Sequence, residues 1–409
     1  MSASPTAPGR ITHLVGHQSW QGEPGRTSEV YNPATGEVTG TLDLASAETV
    51  DEVVAKAKAA AQEWGHISLA RRVRALFAFR QLLEERKDEI AKAITAGLRD
   101  AMRADDRVML MGEDVGVLGG VFRVTDGLQA EFGKERVVDT PLAEAGIVGT
   151  AIGLAFAGYR PVVEIQFDGF VFPAYNQITT QLAKMHYRTG GIVTVPVVIR
   201  IPHGGGIGAI GHHSESPEAL FAHTAGLRIV APATAQDAYW MTRQAIESDD
   251  SIIMLEPKRR YWIKGDVDPD ARPTLGLHDA AIAREGTDAT LLAWGPTTSL
   301  ALEAAATAAE DGIDLEVIDM RSISPLPMDA IVASVARTGR LVIAHEAPVF
   351  GGIGGEIAAR VTERCFYELE APVLRVGGFH TPYPPARMEE AYLPDLDRIL
   401  DGVDRVLAH

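Results

Sequence analysis

The stretch HGGGIGAIGHHSESPEALF, residues 203–221, admits two readings that lead to different folds. In one, Gly206, Gly208 and Gly211 spell GxGxxG, the phosphate-binding turn of a dinucleotide fold. In the other, the glycines only let the backbone bend, and the working residues are His212 and His213. A dinucleotide turn needs its glycines pressed between strand and helix, with an acidic residue about 20 positions later. The strand fits, VTVPVVIRI at 193–201, but HHSES separates Gly211 from the next helical pattern. Ser216 and Pro217 suit the N-cap and first position of that helix. The following strand, LRIVAP, ends in Ala231 and Pro232 and offers no carboxylate to a ribose. The dinucleotide reading is therefore set aside. No glycine-rich loop closes with Lys followed by Ser or Thr, so the P-loop is set aside too. A second glycine cluster, FGGIGGEIAARV (350–361), follows the strand RLVIAHE and reads as close packing of helix on strand.

Working outward, short apolar runs alternate with helical patterns across residues 94–265. VMLMG, PVVEIQF, VTVPVVIRI, LRIVAP and SIIMLEP are runs of the kind buried parallel strands show. EAGIVGTAIGLAFAG and PAYNQITTQLAKMHYR lie between them as helices, which makes an α/β domain. ATLLAWG, DLEVIDM and RLVIAHE repeat the style beyond the linker GDVDPDARPTLGLHD (265–279). The first 93 residues differ. VYNPATGEVTGTLDLAS alternates around turn signals at Asn32-Pro33 and Thr35-Gly36, predicting a hairpin. Ser46 is placed to cap a helix carrying Val50, Val53, Val54, Ala57, Ala61 and Trp64 at helical spacing. A second helix is expected from about Ser68, with Val73, Leu76, Phe77, Leu83, Ile90 and Ile94 on its apolar face. No breaker but Gly97 stops it from running on through KDEIAKAITAGLRDAMRADD, an unusual way to cross a domain boundary.

The 409 residues carry a net charge of −17, of which residues 1–96 hold only −1. An acidic body argues against nucleic acid and anionic membrane as partners and is compatible with a basic protein partner. The single cysteine, Cys365, can form no internal disulfide. AGIVGTAIGLAFAG (145–158) is too short to span a bilayer, and MSASPTAPGR lacks a secretory signal's apolar region, so the expected compartment is the cytoplasm.

Polar residues in apolar company mark the chemistry. Glu144 heads a helix of otherwise small and apolar residues, either capped and structural or held for proton transfer with its pKa raised by burial. Glu113 and Asp114 stand just past the end of a strand, where open α/β sheets place their ligands; a loop carboxylate satisfying backbone N–H groups is the competing reading. His212 and His213 have no cysteine or acidic partner at ligand spacing, so acid–base work suits them better than a metal.

These residues sit in LMGEDVGVLGGVFRVTDGL, ERVVDTPLAEAGIVGTAIGLAFAGYRPVVEIQF, FPAYNQI, HHSESPEALFAH, LEPKRRYW and TPYPPARMEEAYLPD. Together they resemble the beta subunit of the thiamine-diphosphate-dependent 2-oxoacid dehydrogenases over about residues 94–409, with HSESPEALFAH and EIQFDGFVFPAYNQI leaning toward the branched-chain type. The resemblance implies a transketolase-like pyrimidine-binding domain (94–268) and a transketolase-type C-terminal domain (280–409). It implies thiamine diphosphate as cofactor, with Glu144 against N1′ of its aminopyrimidine and Glu113, Gln166 and Phe170 nearby. Phe170 stands where relatives often place Tyr. His213 matches a histidine at the active-site channel that handles protons during decarboxylation or acyl transfer to lipoamide.

The diphosphate and its Mg²⁺ require a GDG motif and a distant Asn, and FDG (167–169) and EDG (310–312) are only near misses. The resemblance assigns that half, and the metal, to an alpha subunit. The implied assembly has two alpha and two beta chains bound to a lipoyl acyltransferase core, acting on a 2-oxo acid. Pyruvate- or acetoin-type relatives are the neighbouring alternative. Residues 1–93 resemble instead the start of an aldehyde dehydrogenase, of the methylmalonate-semialdehyde type, without its catalytic cysteine or dinucleotide fold. The linker-free junction reads as a gene fusion or a chimeric gene model, with an inactive fusion protein as a further alternative.

Overall fold

The computed structural model describes residues 9–15, 18–19, 26–31, 38–66, 90–263 and 265–409. Two compact units divide the chain, Met1–Lys87 and Asp88–His409.

In the first unit, β1 (Gly9–Ile11), β4 (Arg26–Tyr31) and β5 (Val38–Leu44) form a sheet in the order β1-β5-β4, while β2 (Leu14–Val15) pairs with β3 (Gln18–Ser19). β4 and β5 are the expected antiparallel hairpin. Ser46 caps the helix Ala47–His66, its Oγ accepting the Thr49 N–H at 3.2 Å. On that helix's apolar face Val50 is 50% and Val54 57% exposed. The second helix expected from Ser68 lies outside the described residues until Ile90.

The second unit opens with the helix Ile90–Ala104, whose Ile94, Leu98 and Met102 are completely buried. Gly97, weak for helix on propensity, is explained by packing. A Cβ there would lie 2.8 Å from the Tyr239 carbonyl oxygen of the helix Ala235–Glu247.

Seven strands follow as one sheet: β6 (Val108–Gly112), β7 (Val137–Asp139), β8 (Arg160–Glu164), β9 (Val198–His203), β10 (Arg228–Val230), β11 (Ile252–Pro257) and β15 (Ser322–Ser324), in the order β15-β10-β11-β9-β8-β6-β7. All pairs are parallel except β10–β15. The parallel strands are apolar on both faces because helices cover both. β9 starts only at Val198, past Pro196, which has no N–H for a ladder. The segment expected as one helix over 173–188 is a 3₁₀ turn (Asp168–Ala174), a π turn (Gln177–Leu182) and a short α-helix (Ala183–Arg188). Its apolar spacing is helical, but the backbone is overwound and then underwound, with Pro173 inside the first turn.

A second sheet has β12 (Ala281–Arg284), β13 (Ala289–Ala293), β14 (Leu315–Asp319), β16 (Leu341–Pro348) and β17 (Leu374–Gly378), in the order β12-β14-β13-β16-β17. β15 comes from this C-terminal part yet completes the edge of the first sheet. Arg321, just before it, is 1% exposed and binds Asp237 at 2.9 Å and the Asp279 carbonyl at 2.8 Å. One arginine thus ties strand, helix and linker. The helix Ile353–Arg364 packs as the second glycine cluster suggested, since Cβ atoms on Gly352 and Gly354 would lie 3.0 and 2.9 Å from the His345 ring.

Candidate functional site

The C-terminal ends of β6, β8, β9 and β11 point to one edge of the sheet, and the expected site residues gather there. Glu113 follows β6, Gln166 and Phe167 follow β8, and the loop 204–213 follows β9. Glu144 is the first residue of the helix Glu144–Phe156, which starts at the same edge. Glu113 and Glu144 are both buried, at 7% and 8% exposure. Burial pushes the Glu113 carboxyl above its usual range, the charges of Glu144 and Asp114 add to this, and the Ala143 N–H opposes it. Its Oε1 is buried without a hydrogen-bond partner. Gln166 donates to Asp114 Oδ2 at 3.2 Å and to the Glu113 carbonyl at 3.4 Å, fixing the turn beneath the pair.

The same edge of the sheet carries an aromatic cluster. The half-buried His213 ring meets Phe167 edge-on at 4.2 Å and Phe170 at 5.1 Å between centroids. His212 is exposed, stacks on Phe170 at 6.0 Å, and stands 4.2 Å from His213. Burial lowers the His213 pKa, and the charges of His212 and Lys258 lower it further. Its Nδ1 is buried and unpartnered. A Cβ on Gly169 would overlap the His212 backbone, so the FDG that failed as a diphosphate motif serves to bring two loops together.

Sequence reasoning missed what holds this edge. Lys258, completely buried, pairs with Asp168 at 2.6 Å, and Asp168 also accepts the Glu215 N–H at 2.8 Å. The 3₁₀ turn bearing Phe170, the end of β11 and the segment after His213 are thereby joined. Arg200 on β9 sits fully buried between Glu164 at 2.7 Å and Glu256 at 2.6 Å, and the Tyr261 hydroxyl donates to Glu256 at 2.5 Å. Charged residues inside the apolar runs EIQF, VVIRI and LEPK were the available signal.

The helix after the histidines is a correction. It spans Glu218–Ala222, with Pro217 rather than Ser216 in the cap position and no capping side chain; the Ser216 Oγ is buried without a partner. The helix has only five residues, and no side chain caps its first N–H groups.

The glycines that opened the question also have an answer. Gly204, Gly206 and Gly208 have φ of +82°, +87° and +70°, a left-handed backbone that favours glycine. Such backbone makes a nest of N–H groups for an anion. Here the anion belongs to the protein: Glu389 accepts from Gly206 and Gly208, each at 2.9 Å, and Glu346 accepts from Gly205.

A buried carboxylate pair with an unused acceptor, on the same sheet edge as an aromatic cluster, fits an aminopyrimidine. The described residues hold no group of three His, Cys, Asp or Glu able to bind a metal ion, and no described helix is long and apolar enough to cross a membrane.

Comparison with known proteins extends this picture. The family "Transketolase, pyrimidine binding domain" matches residues 87–262, and "Transketolase, C-terminal domain" matches 278–399. "Aldehyde dehydrogenase family" matches 20–115. A pyruvate dehydrogenase E1 component subunit beta of Leifsonia xyli is 64% identical over 320 residues, 78% of this chain and 95% of that protein. A 3-methyl-2-oxobutanoate dehydrogenase subunit beta of Mycobacterium tuberculosis is 54% identical, covering 78% and 91%. Among solved structures, "Split gene transketolase, inactive beta4 tetramer" aligns with a TM-score of 0.64 at 25% identity, covering 78% of this chain and 98% of that one.

Proposed function

Because the chain belongs to the beta subunits of the thiamine-diphosphate-dependent 2-oxoacid dehydrogenases, we propose that it supplies the pyrimidine-binding half of an active site completed by an alpha subunit. The buried pair Glu113 and Glu144, on the same sheet edge as Phe170 and His213, carries this reading. Thiamine diphosphate, when bound, supplies the nucleophilic carbon and the electron sink for decarboxylation. Glu144 would face N1′ of the aminopyrimidine and hold a proton there. Glu113, with its free Oε1, would accept a hydrogen bond from the same ring or stay protonated beside Glu144. Phe170 would cover the ring, and Gln166 would keep the Glu113 turn in place. His213, its pKa lowered by burial, would exchange a proton at Nε2 during decarboxylation or acyl transfer to lipoamide.

Diphosphate and Mg²⁺ would be held mainly by the alpha subunit, since GDG with its distant Asn is missing from this sequence. The assembly would contain two alpha and two beta chains and would pass its acyl group to a lipoyl acyltransferase core. For substrate, we favour branched-chain 2-oxo acids, on the stretches EIQFDGFVFPAYNQI and HSESPEALFAH. The 64% identity to a protein named pyruvate dehydrogenase supports pyruvate as the second reading.

Co-expression with the alpha chain tests both levels. The chain alone should bind thiamine diphosphate weakly in calorimetry and decarboxylate nothing, and the pair should do both. Robust turnover by the chain alone would overturn the half-site reading. On the pair, the ratio of kcat/KM for 3-methyl-2-oxobutanoate to that for pyruvate decides the substrate.

A further inference from the structure

The loop that carries the histidines is held from the C-terminal part of the chain. Three backbone N–H groups of the loop, on Gly205, Gly206 and Gly208, donate to two carboxylates of that part, Glu346 at the end of β16 and Glu389 at the head of the short helix Glu389–Tyr392. Glu389 is only 6% exposed and uses both oxygens, Oε1 on Gly206 and Oε2 on Gly208. The Tyr383 hydroxyl donates to the same Oε1 at 2.5 Å. Tyr383 also bears on the loop directly: a Cβ on Gly205 would overlap its hydroxyl, and one on Gly211 would lie 3.6 Å from its Cβ. Gly211 opens the 3₁₀ turn of His212 and His213. On the far side, Asp168 grips the Glu215 N–H just past the histidines. The histidine segment is therefore strung between two anchors, and the near one is a carboxylate from a helix of the C-terminal part.

We propose that Glu389 is a positioning residue for the reaction: its carboxylate, seated in the glycine nest, sets where His212 and His213 stand against Phe170. This rests on the reading that His213 acts in catalysis. The nest gives charge-assisted hydrogen bonds, which are stronger than neutral ones. Without the carboxylate, the N–H groups of Gly206 and Gly208 lose their acceptors, and these two left-handed glycines regain the conformational freedom that glycine has. The aromatic contacts of His213 would then be sampled rather than fixed.

Two measurements test the proposal. In the full chain alone, hydrogen exchange at residues 204–213 should quicken at least tenfold in Glu389→Ala, while exchange in β9 (198–203) stays as in wild type. In the complex with the alpha subunit, kcat should fall at least tenfold with KM for the 2-oxo acid within about twofold. Glu389→Gln keeps one acceptor oxygen and should lie between. Wild-type exchange across the loop in Glu389→Ala, or an unchanged kcat beside a loosened loop, would overturn it. If Glu389→Ala fails to fold, Tyr383→Phe decides, because it removes only the hydroxyl bond to Oε1. A smaller shift in the same two readouts supports the proposal, and none overturns it. Should the wild-type complex show no turnover, the catalytic reading fails, and the exchange data still report whether Glu389 places the loop.

Discussion

Glu144 stands where the helix Glu144–Phe156 begins, buried, with a second carboxylate beside it. Glu144→Gln keeps the size and one hydrogen bond but removes the carboxylate. The assembled enzyme should lose roughly 10²-fold or more in kcat, the usual scale of an acid–base contribution. Steady-state kinetics on the pair checks this, and near-normal turnover would make Glu144 structural. His213 gives a test that needs no partner. Its pKa is lowered first by burial and then by the charges of His212 and Lys258, so its imidazole should titrate below the ordinary histidine range. His212→Asn removes one of those charges and should move the titration upward, read by ¹⁵N NMR of the ring nitrogens. Single residues were legible where the sequence put a charge at the head of a small-residue helix, as at Glu144. They were illegible where partners come from far along the chain. Nothing near Glu389 in ARMEEAYLPD says that its partner is a glycine loop some 180 residues earlier.

Between elements, packing decides against local preference. Gly97→Ala should gain up to about 1 kcal/mol of helix propensity. The new Cβ, however, meets the Tyr239 carbonyl oxygen at 2.8 Å, a backbone atom that cannot rotate away. Overpacking of this kind costs about 1–3 kcal/mol, so net destabilisation is expected in a urea titration. A second test lies where the helix Glu218–Ala222 meets Trp294. Glu218 is 1% exposed, and burial raises its pKa to about 8 from an ordinary 4.5. Between those values the unfolded chain releases a proton that the fold retains, so stability falls as pH rises from 4.5 to 8. Glu218→Gln should therefore melt several degrees higher than wild type at pH 8, with the gain vanishing toward pH 4.5. His203 and His345 work at the acid end. Their pKa values are lowered by burial to about 3 and about 4, so stability present above 6.5 is lost as pH falls toward those values. That limb should be unchanged in Glu218→Gln. The long apolar runs announced β6, β8, β9 and β11 because strands buried on both faces leave little else to read. β7 and β15, three residues each, carried no such signal.

Across the whole molecule, residues 88–409 form a unit with its own core, and the aldehyde-dehydrogenase-like unit before it holds a helix with Val50 and Val54 exposed. A chain beginning at Asp88 is expected to fold, and to pair with the alpha subunit at least as well as the full chain. Neither form should oxidise an aldehyde with NAD. Melting curves and kcat/KM of the two forms check the point, and aggregation of the shorter chain would make the first unit integral. The α/β class and order of elements followed from periodicity and the linker 265–279, whereas the crossing of that linker by one strand did not. β15 reaches back from the C-terminal part to close the edge at β10. The two transketolase-type regions are therefore poor modules. Separated at the linker, the first would bare the N–H and C=O groups of Arg228–Val230, an invitation to edge-to-edge association. Shuffling the C-terminal region between relatives should succeed only when Arg321–Ser324 travels with the sheet it completes.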